Sequence, residues 1–216
     1  MMRIGVICII IIVVFGFSTY ETSGFQVNLT EIGQLHTGSR TVDVYVNGDT
    51  LYALDLDLGL KIYDISSPTA PLLLSSLHDA YTFSHGLFYY KELLFIADYK
   101  DKLEIVNVSN PATPQLIGRY QEYDNSVQYV GSTNLYVIGD LVLLASQIEG
   151  LEIIDVKDPT NPVEIGSYYD GRRINAVYAI NNLVFIRETG GNFKILDISD
   201  PTSPIEMYHC TEVAVG

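Results

Sequence analysis

The four histidines of this sequence are its best candidates for metal binding or proton transfer, but they are far apart. His36, His78 and His209 lie in connecting segments and are too scattered to form a metal site, whose ligands occur at short spacings. His85 begins an apolar run without a clustered His or Cys partner. This setting favours a strand residue with a local hydrogen bond, and a ligand held by His85 in a central channel is the alternative.

The run Asp55-Leu-Asp57-Leu-Gly59 resembles the start of a calcium-binding loop. Leucines occupy the intervening positions, and no distal Glu follows at the spacing that such a loop needs. The run therefore predicts a solvated hairpin turn. Gly190-Gly191 likewise predicts a turn with positive φ, because the strand-to-helix context of a phosphate-binding loop is missing.

Known catalytic motifs are missing from the sequence. It contains no Gly-x-Ser-x-Gly motif, no zinc-protease helix motif and no closely spaced pair of cysteines. We therefore expect no catalytic residue, no metal and no cofactor within these 216 residues.

The segment 121–129 has the residue types best suited to contact a ligand. Its candidate binding residues are Tyr123, Asp124, Asn125 and Tyr129. Binding residues favour loops of this kind, so we group these four with His85 as candidate ligand-binding residues. The alternative is a tolerated surface insertion.

The charge of the chain excludes several classes of function. With 26 Asp and Glu against 12 Lys and Arg, the net charge is −14, and 48% of the residues are hydrophobic. Nucleic-acid affinity comes largely from Lys and Arg that neutralise phosphates, so we expect no nucleic-acid partner. An electrostatic attachment to anionic lipid is disfavoured for the same reason. The apolar content is too high for a disordered chain and sufficient for a sizeable core.

Residues 1–24 predict a signal peptide or an N-terminal membrane anchor. Arg3 precedes an unbroken apolar or glycine run of 14 residues, Ile4 to Phe17. This length fits the apolar region of a secretory signal and is short of the roughly 20 residues that span a bilayer. Export to the exterior or the cell surface is therefore expected, with membrane contact only through this segment if it is retained. Its removal would leave Cys210 as a single cysteine, unable to form an intramolecular disulfide.

One phrase occurs four times in the sequence. Its copies span Leu60–Pro71, Leu103–Pro114, Leu151–Pro162 and Phe193–Pro204. Each begins with a Leu-x-Ile-x-Asp pattern and closes with two prolines three residues apart, with Asn107 replacing Asp and Phe193 replacing Leu. The Asp or Asn position advances by 43, 48 and 42 residues, so the chain is an array of similar units.

Each unit predicts four short strands bounded by turns, and its middle strands are apolar at nearly every position. Both faces of each small sheet must then be covered, which is the geometry of a propeller blade. The predicted fold class is all-β, a β-propeller of four-stranded blades of about 42–48 residues. The predicted domain spans residues 25–216, with blades at 42–78, 83–120, 133–169 and 174–209.

Partial units flank the four complete repeats. Leu29–Leu35 resembles Pro162–Tyr168, a fourth strand, and Glu212–Gly216 resembles Val42–Gly48, the start of a unit. We therefore expect a fragment of a larger propeller, whose termini complete a shared blade. A closed four-bladed ring is the alternative.

The repeated Asp or Asn has a structural explanation. The four residues are Asp64, Asn107, Asp155 and Asp197. A short acceptor side chain at the end of a strand can bind the backbone of the following turn, and the prolines then end the strand pairing. We expect these residues to form the repeat turn without a catalytic role.

The repeated phrase resembles the LVIVD repeat, which is found in β-propeller proteins of bacterial and archaeal cell surfaces. The resemblance covers most of the chain and implies the propeller fold. It implies no catalytic residues, because the family is defined by its repeat.

These observations favour a non-enzymatic, exported recognition, adhesion or protein-interaction scaffold, with a surface protein or a glycan as its partner. The alternative is a propeller enzyme or cofactor-binding protein, with a channel-mouth site assembled from several blades and partly missing from this chain. Asn28 and Asn107 stand in glycosylation sequons, of which Asn28 is the better candidate because Asn107 is at the repeat turn.

Overall fold

The computed structural model describes residue 31 and residues 33–78, 84–98, 102–121, 132–146 and 148–210. These residues form 16 β-strands, and no helix occurs among them. The strands are β1 (Thr41–Asn47), β2 (Thr50–Asp55), β3 (Gly59–Asp64), β4 (Leu72–Leu77), β5 (Ser84–Tyr90), β6 (Leu93–Asp98), β7 (Lys102–Asn107), β8 (Gln115–Tyr120), β9 (Ser132–Ile138), β10 (Leu141–Ser146), β11 (Gly150–Asp155), β12 (Val163–Tyr168), β13 (Ile174–Ile180), β14 (Leu183–Glu188), β15 (Phe193–Asp197) and β16 (Ile205–Cys210).

Every four consecutive strands form one antiparallel sheet, in chain order. We call the sheets blade one (β1–β4), blade two (β5–β8), blade three (β9–β12) and blade four (β13–β16). Two-residue turns join the first two strands of a blade, as where Asn47 pairs with Thr50 around Gly48, whose φ is 57°. Tight hairpins favour such left-handed residues. The predicted all-β class with four-stranded blades is confirmed.

The antiparallel order sorts the turns to two ends of each blade. One end holds the turn between strands one and two and the proline-containing turn between strands three and four, and we call it the proline end. The other holds the turn between strands two and three and the link to the next blade, and we call it the connection end. The sequence therefore places all links between blades at one end.

The first strands lie side by side along the inner edge of the array: β1 contacts β5, β5 contacts β9, and β9 contacts β13. Aromatic rings reinforce this edge, with ring centroids 5.0 Å apart for Phe88 and Tyr136 and 4.8 Å apart for Tyr136 and Tyr178. No comparable contact joins β13 to β1 among the described strands. The four blades form an open propeller arc.

The hydrophobic core lies between blades. Alternate residues of the second and third strands face opposite neighbours, which explains why these strands are apolar throughout. In blade two, Leu94 packs towards blade one, whereas Phe95 packs towards blade three. Burying each such side chain contributes roughly 1.5–3 kcal/mol, so the gain comes from stacking neighbouring blades.

The fourth strand of each blade lies close to the next blade's proline turn. A Cβ atom on Gly118 would overlap the carbonyl oxygen of Pro159, and one on Gly166 would overlap that of Pro201. In blade one the equivalent residue is Ser75, whose Oγ donates to the carbonyl oxygen of Pro111 at 2.5 Å. In blade four it is Tyr208, which is 54% exposed.

Gly33 makes the same contact from outside the four blades. A Cβ atom there would overlap the carbonyl oxygen of Pro68 in blade one. Leu35 then packs on Leu51 and Tyr63. The described part of the predicted leading fourth strand thus covers blade one as a preceding blade's fourth strand would.

Candidate functional site

His85 is the bulged residue of its strand. The pairing of β5 with β6 steps from Ser84 opposite Asp98 to Gly86 opposite Ala97, so the register skips His85, whose side chain is exposed. The same irregularity occurs in the other three first strands, at Val42, Thr133 and Asn175. β-Bulges redirect side chains and are frequent beside binding sites. These four bulged positions form a row along the inner edge, near the connection end.

Polar side chains next to the bulges tie the first strands together. Asp43 Oδ2 accepts from the backbone N–H of Leu87 at 2.9 Å, and Asn134 Oδ1 accepts from that of Val177 at 3.0 Å. Burial raises the pKa of Asp43, although its backbone hydrogen bonds act to lower it. These bonds link consecutive blades and hold the bulges in place.

The remaining predicted ligand-binding residues, Tyr123, Asp124, Asn125 and Tyr129, lie outside the described residues, as does Asn28. The link that contains the four runs from β8, which ends at Tyr120, to β9, which begins at Ser132, and both of those strand ends are at the connection end.

The repeated Asp and Asn residues lie at the proline end, away from the bulges. Asp64, Asn107, Asp155 and Asp197 each accept, through Oδ1, from the backbone N–H two residues later, at 2.7–2.9 Å. The bonds with Ser66 and Ser199 lower the pKa of Asp64 and Asp197. At the connection end, Asp55 Oδ1 accepts similar hydrogen bonds from the N–H groups of Asp57 and Leu58, both at 3.2 Å.

Charged residues occupy the second position of the repeated phrase, where they face the preceding blade. They are Lys61, Glu104, Glu152 and Lys194. The last three are 7%, 1% and 1% exposed. Sequence reasoning treated this position as variable and missed it. The signal that could have revealed it is a charged residue between two apolar residues in every copy of the phrase.

A cluster of ionisable residues fills the interface between blades two and three. Lys102 Nζ lies 2.9 Å from Glu152 Oε1 and also pairs with Glu149. The Tyr120 hydroxyl lies 2.6 Å from Glu164 Oε2 and 3.3 Å from Glu152 Oε1. We call these five residues the blade 2–3 cluster.

Lys102 stands where blades one and three have glycine and blade four has Asn192. Its φ is 54°, and the equivalent Gly59 and Gly150 have φ values of 75° and 83°. A left-handed conformation is strained for a residue with a side chain, and such strain persists where the surroundings compensate for it. Here the compensation is an ammonium that reaches the next blade.

Glu152 is the most perturbed carboxylate of the blade 2–3 cluster. Burial raises its pKa to about 7, the ammonium of Lys102 acts against that increase, and nearby Glu149 and Glu164 add to it. Its Oε2 atom has no hydrogen-bond partner among the described residues. The site therefore holds a carboxyl group that titrates near neutral pH.

The interface between blades three and four reverses the charge. The buried group is Lys194, whose Nζ lies 2.9 Å from the Tyr168 hydroxyl and 3.2 Å from both Glu188 Oε1 and Glu206 Oε2. It also pairs with Asp170. Burial acts to lower the pKa of Lys194, but these partners outweigh it and raise the pKa above its usual value.

The interface between blades one and two contains a cavity of about 220 Å³. Glu104 lies in its wall, and the Arg119 Nε and Nη2 atoms are each 3.0 Å from Glu104 Oε1. Ser84, also in the wall, donates through Oγ to Asp98 Oδ2 at 2.9 Å. The rest of the described wall is mainly aliphatic. The cavity and the bulges together form the candidate site at the connection end.

A model of the LVIVD repeat matches four segments of the chain, at residues 38–79, 90–122, 131–170 and 174–212. The chain belongs to the LVIVD-repeat family. The matched segments correspond to the four blades, except that the second begins at the last residue of β5, so the repeat that resembled this family in the sequence is also the unit of the structure. No curated protein matches the sequence of this LVIVD-repeat protein.

Three solved structures share the fold of the LVIVD-repeat protein. The designed Ika8 protein is 15% identical with a TM-score of 0.62, over 77% of this chain and 48% of its own. The designed Ika4 protein is 14% identical with a TM-score of 0.63, and the match covers 79% of this chain and 99% of the Ika4 chain. The β-propeller domain of Cps50 (Swd1) from Myceliophteria thermophila is 12% identical with a TM-score of 0.65, and the match covers 82% of this chain and 56% of the Cps50 chain. The chain thus spans about half of the Ika8 and Cps50 chains.

Within the described ranges, no His, Cys, Asp and Glu residues group closely enough to hold a metal ion. No helix that could cross a bilayer occurs in the same ranges.

Proposed function

We propose that this LVIVD-repeat protein is exported or displayed at the cell surface, where it acts as a non-enzymatic recognition or adhesion scaffold. The observation that carries the proposal is the row of four bulged positions. Their residues differ from repeat to repeat, from Val42 and His85 to Asn175, while the adjacent Asp43 and Asn134 tie their strands to the next blade. Variable side chains on a rigid frame are what a recognition surface requires.

The partner is a surface protein or a glycan. A net charge of −14 opposes nucleic acid and anionic lipid. His85 and Asn175 offer the hydrogen-bonding groups that sugar hydroxyls and peptide groups need. The export part of the proposal rests on residues 1–24 and is tested by expressing the full chain in a bacterium and sequencing the N-terminus of the exported product. Cleavage after Ser18 or Gly24 supports a signal peptide, and an intact membrane-bound chain supports an anchor.

Recognition is tested with the purified full chain on intact bacterial cells and on a glycan array. We expect saturable binding to at least one surface, weakened about tenfold in the double variant His85→Ala/Asn175→Ala. Asn182→Ala at the proline end is the matched control and should bind as the wild type does. Equal binding by all three proteins would contradict the proposal.

A second candidate function is an enzyme with a site assembled from several blades. The observation in its favour is Glu152, whose pKa of about 7 suits a general acid or base. Glu152 is 1% exposed, so a substrate would need to enter the interface between blades two and three. Hydrolase activity that is lost in Glu152→Gln but retained in His85→Ala would favour the enzyme over the scaffold.

A further inference from the structure

Blade four presents an outer face of exposed apolar side chains. Side chains alternate between the two faces of a strand, and Val184, Ile186 and Leu196 pack in the core shared with blade three. The residues between them therefore point away from blade three. Large apolar side chains on this outer face are 37–62% exposed, and they include Tyr178, Leu183, Phe193, Met207 and Tyr208. Contiguous exposed apolar surface of this kind is typical of an interaction site.

Arg187 distinguishes this face from the faces that join the blades. Strand pairing places Arg187 opposite Phe193. The equivalent pairs in blades one to three are Leu54 with Leu60, Ala97 with Leu103, and Ala145 with Leu151. All six of those side chains are apolar and at most 2% exposed. The position of Arg187 is thus apolar wherever a described blade packs on it.

The guanidinium of Arg187 forms no hydrogen bond or ion pair with any residue that the structure describes. The other charged side chain on the outward side of the described strands of blade four is Asp197, at the proline end. Its Oδ1 accepts from the N–H of Ser199 at 2.7 Å and from the Oγ at 2.6 Å. Covering the face would remove Arg187 from water, and a buried charge without a counter-ion is strongly unfavourable. An occupant of this face must therefore bring its own carboxylate.

Aromatic rings surround the place where that carboxylate would bind. The ring centroids of Phe185 and Phe193 are 6.1 Å apart, and those of Tyr178 and Phe185 are 6.4 Å apart. Aromatic residues, Met and Arg are enriched in the centres of protein interfaces, and Tyr and Arg carry much of their binding energy. A second copy of the same face would offer only Asp197, which is already bound in its own turn.

We propose that the outer face of blade four binds an apolar, acidic peptide segment of another protein. A carboxylate of that segment pairs with Arg187, and its apolar side chains pack on the rings of Tyr178, Phe193 and Tyr208. Arg suits this role because its planar guanidinium binds a carboxylate through two parallel hydrogen bonds. The face is separate from the row of bulged positions, so this proposal does not depend on recognition at that row.

The test selects peptides from a random library displayed on phage, with the purified full chain as the target. We expect enriched peptides that combine Asp or Glu with aromatic or aliphatic residues. In fluorescence anisotropy the best synthetic peptide should bind one saturable site, and Arg187→Glu should weaken it at least about thirtyfold. Replacing the acidic residue of the peptide by Lys should restore binding to Arg187→Glu. Failure to enrich any peptide, or peptides that all bind wild type and Arg187→Glu equally, would overturn the proposal.

Further variants locate the peptide. Tyr208→Ala removes an exposed ring and should weaken binding about tenfold. Arg40→Glu makes the same charge change at an exposed position before β1 and should bind as the wild type does. The double variant His85→Ala/Asn175→Ala should also bind normally, and its failure to bind would move the peptide to the bulged positions and refute this site.

Two other occupants of the face are distinguished by separate measurements. Analytical ultracentrifugation detects a second copy, and a dimer that dissociates in Tyr208→Ala would assign the face to self-association. An array of acidic glycans detects a sugar, and glycan binding that is lost in Arg187→Glu would assign the face to a carbohydrate. Either result would overturn the proposal of a peptide partner. We expect the same sedimentation for the wild type and Tyr208→Ala, and no glycan binding that depends on Arg187.

Discussion

Lys102 and Glu152 form an ion pair across the interface between blades two and three, with Nζ and Oε1 2.9 Å apart and both side chains 2% exposed. A buried pair gains little over an apolar pair of similar size, but removing one partner leaves a charge without compensation. The pair therefore makes the association of the two blades depend on both residues together.

The first prediction concerns the loss of that ammonium. Lys102→Met should lower the free energy of unfolding by about 3–5 kcal/mol at pH 8, where Glu152 is ionised. The double variant Lys102→Met/Glu152→Leu should recover most of this loss, because no buried charge remains. Urea denaturation of the three proteins measures both effects, and additive losses would contradict the coupling.

The second prediction concerns pH. The pKa of Glu152 is raised to about 7 in the folded protein, so the folded state binds its proton more tightly than the unfolded state does. The stability that this proton provides is fully present below the ordinary Glu pKa, is lost as pH rises to about 7 and is flat beyond it, with a total of about 3 kcal/mol. Comparing urea denaturation of the wild type and Glu152→Gln between pH 4.5 and 8 isolates this term. Parallel pH profiles would show that Glu152 does not titrate in this range.

The third prediction concerns the contact between Gly166 and Pro201. Gly166→Ala places a Cβ against the Pro201 carbonyl and should destabilise the protein by about 1–3 kcal/mol through displacement of blade four. Ser167→Ala changes the next, exposed residue and should stay within about 0.5 kcal/mol of the wild type. Thermal unfolding of both variants makes the comparison, and equal midpoints would mean that the blades adjust freely.

The fourth prediction concerns whether the bulged residue His85 contributes to the stability of the fold. Because His85 is exposed and is the bulged residue of its strand, His85→Ala should change the free energy of unfolding by less than about 0.5 kcal/mol. Asp43→Ala leaves the backbone N–H of Leu87 without its acceptor and should cost about 1–3 kcal/mol. Guanidinium denaturation of the two variants distinguishes a displayed residue from a structural one, and a large loss in His85→Ala would assign His85 to the fold.

The propeller fold could be predicted from sequence because its information is local and repeated four times. Alternating apolar residues fix which face of a strand is buried, and the Asp64 turn with its prolines marks where each third strand ends. The bulge at His85 could not be predicted, because a bulge is a property of the pairing between two strands. Alignment of the repeats nevertheless brought His85 and Asn175 to one position.

The charged interfaces and the cavity were missed for a different reason. Glu104 and Glu152 look alike in the sequence, each between Leu and Ile. Their environments differ because the facing residue is Leu77 in one case and Tyr120 in the other, and these lie in preceding blades. Only a comparison of complete interfaces reveals that one is filled and the other is open.

Tyr208 has a consequence for what can pack on the outer face of blade four. Within the arc, Gly118, Gly166 and the small Ser75 let the next blade's proline turn approach. Tyr208 presents an aromatic ring at that position in blade four, and Gly33 already lies against the proline turn of blade one. A blade that packed on blade four by repeating the internal contact would meet the Tyr208 side chain, so the outer face of blade four requires a different contact from the one used between the described blades.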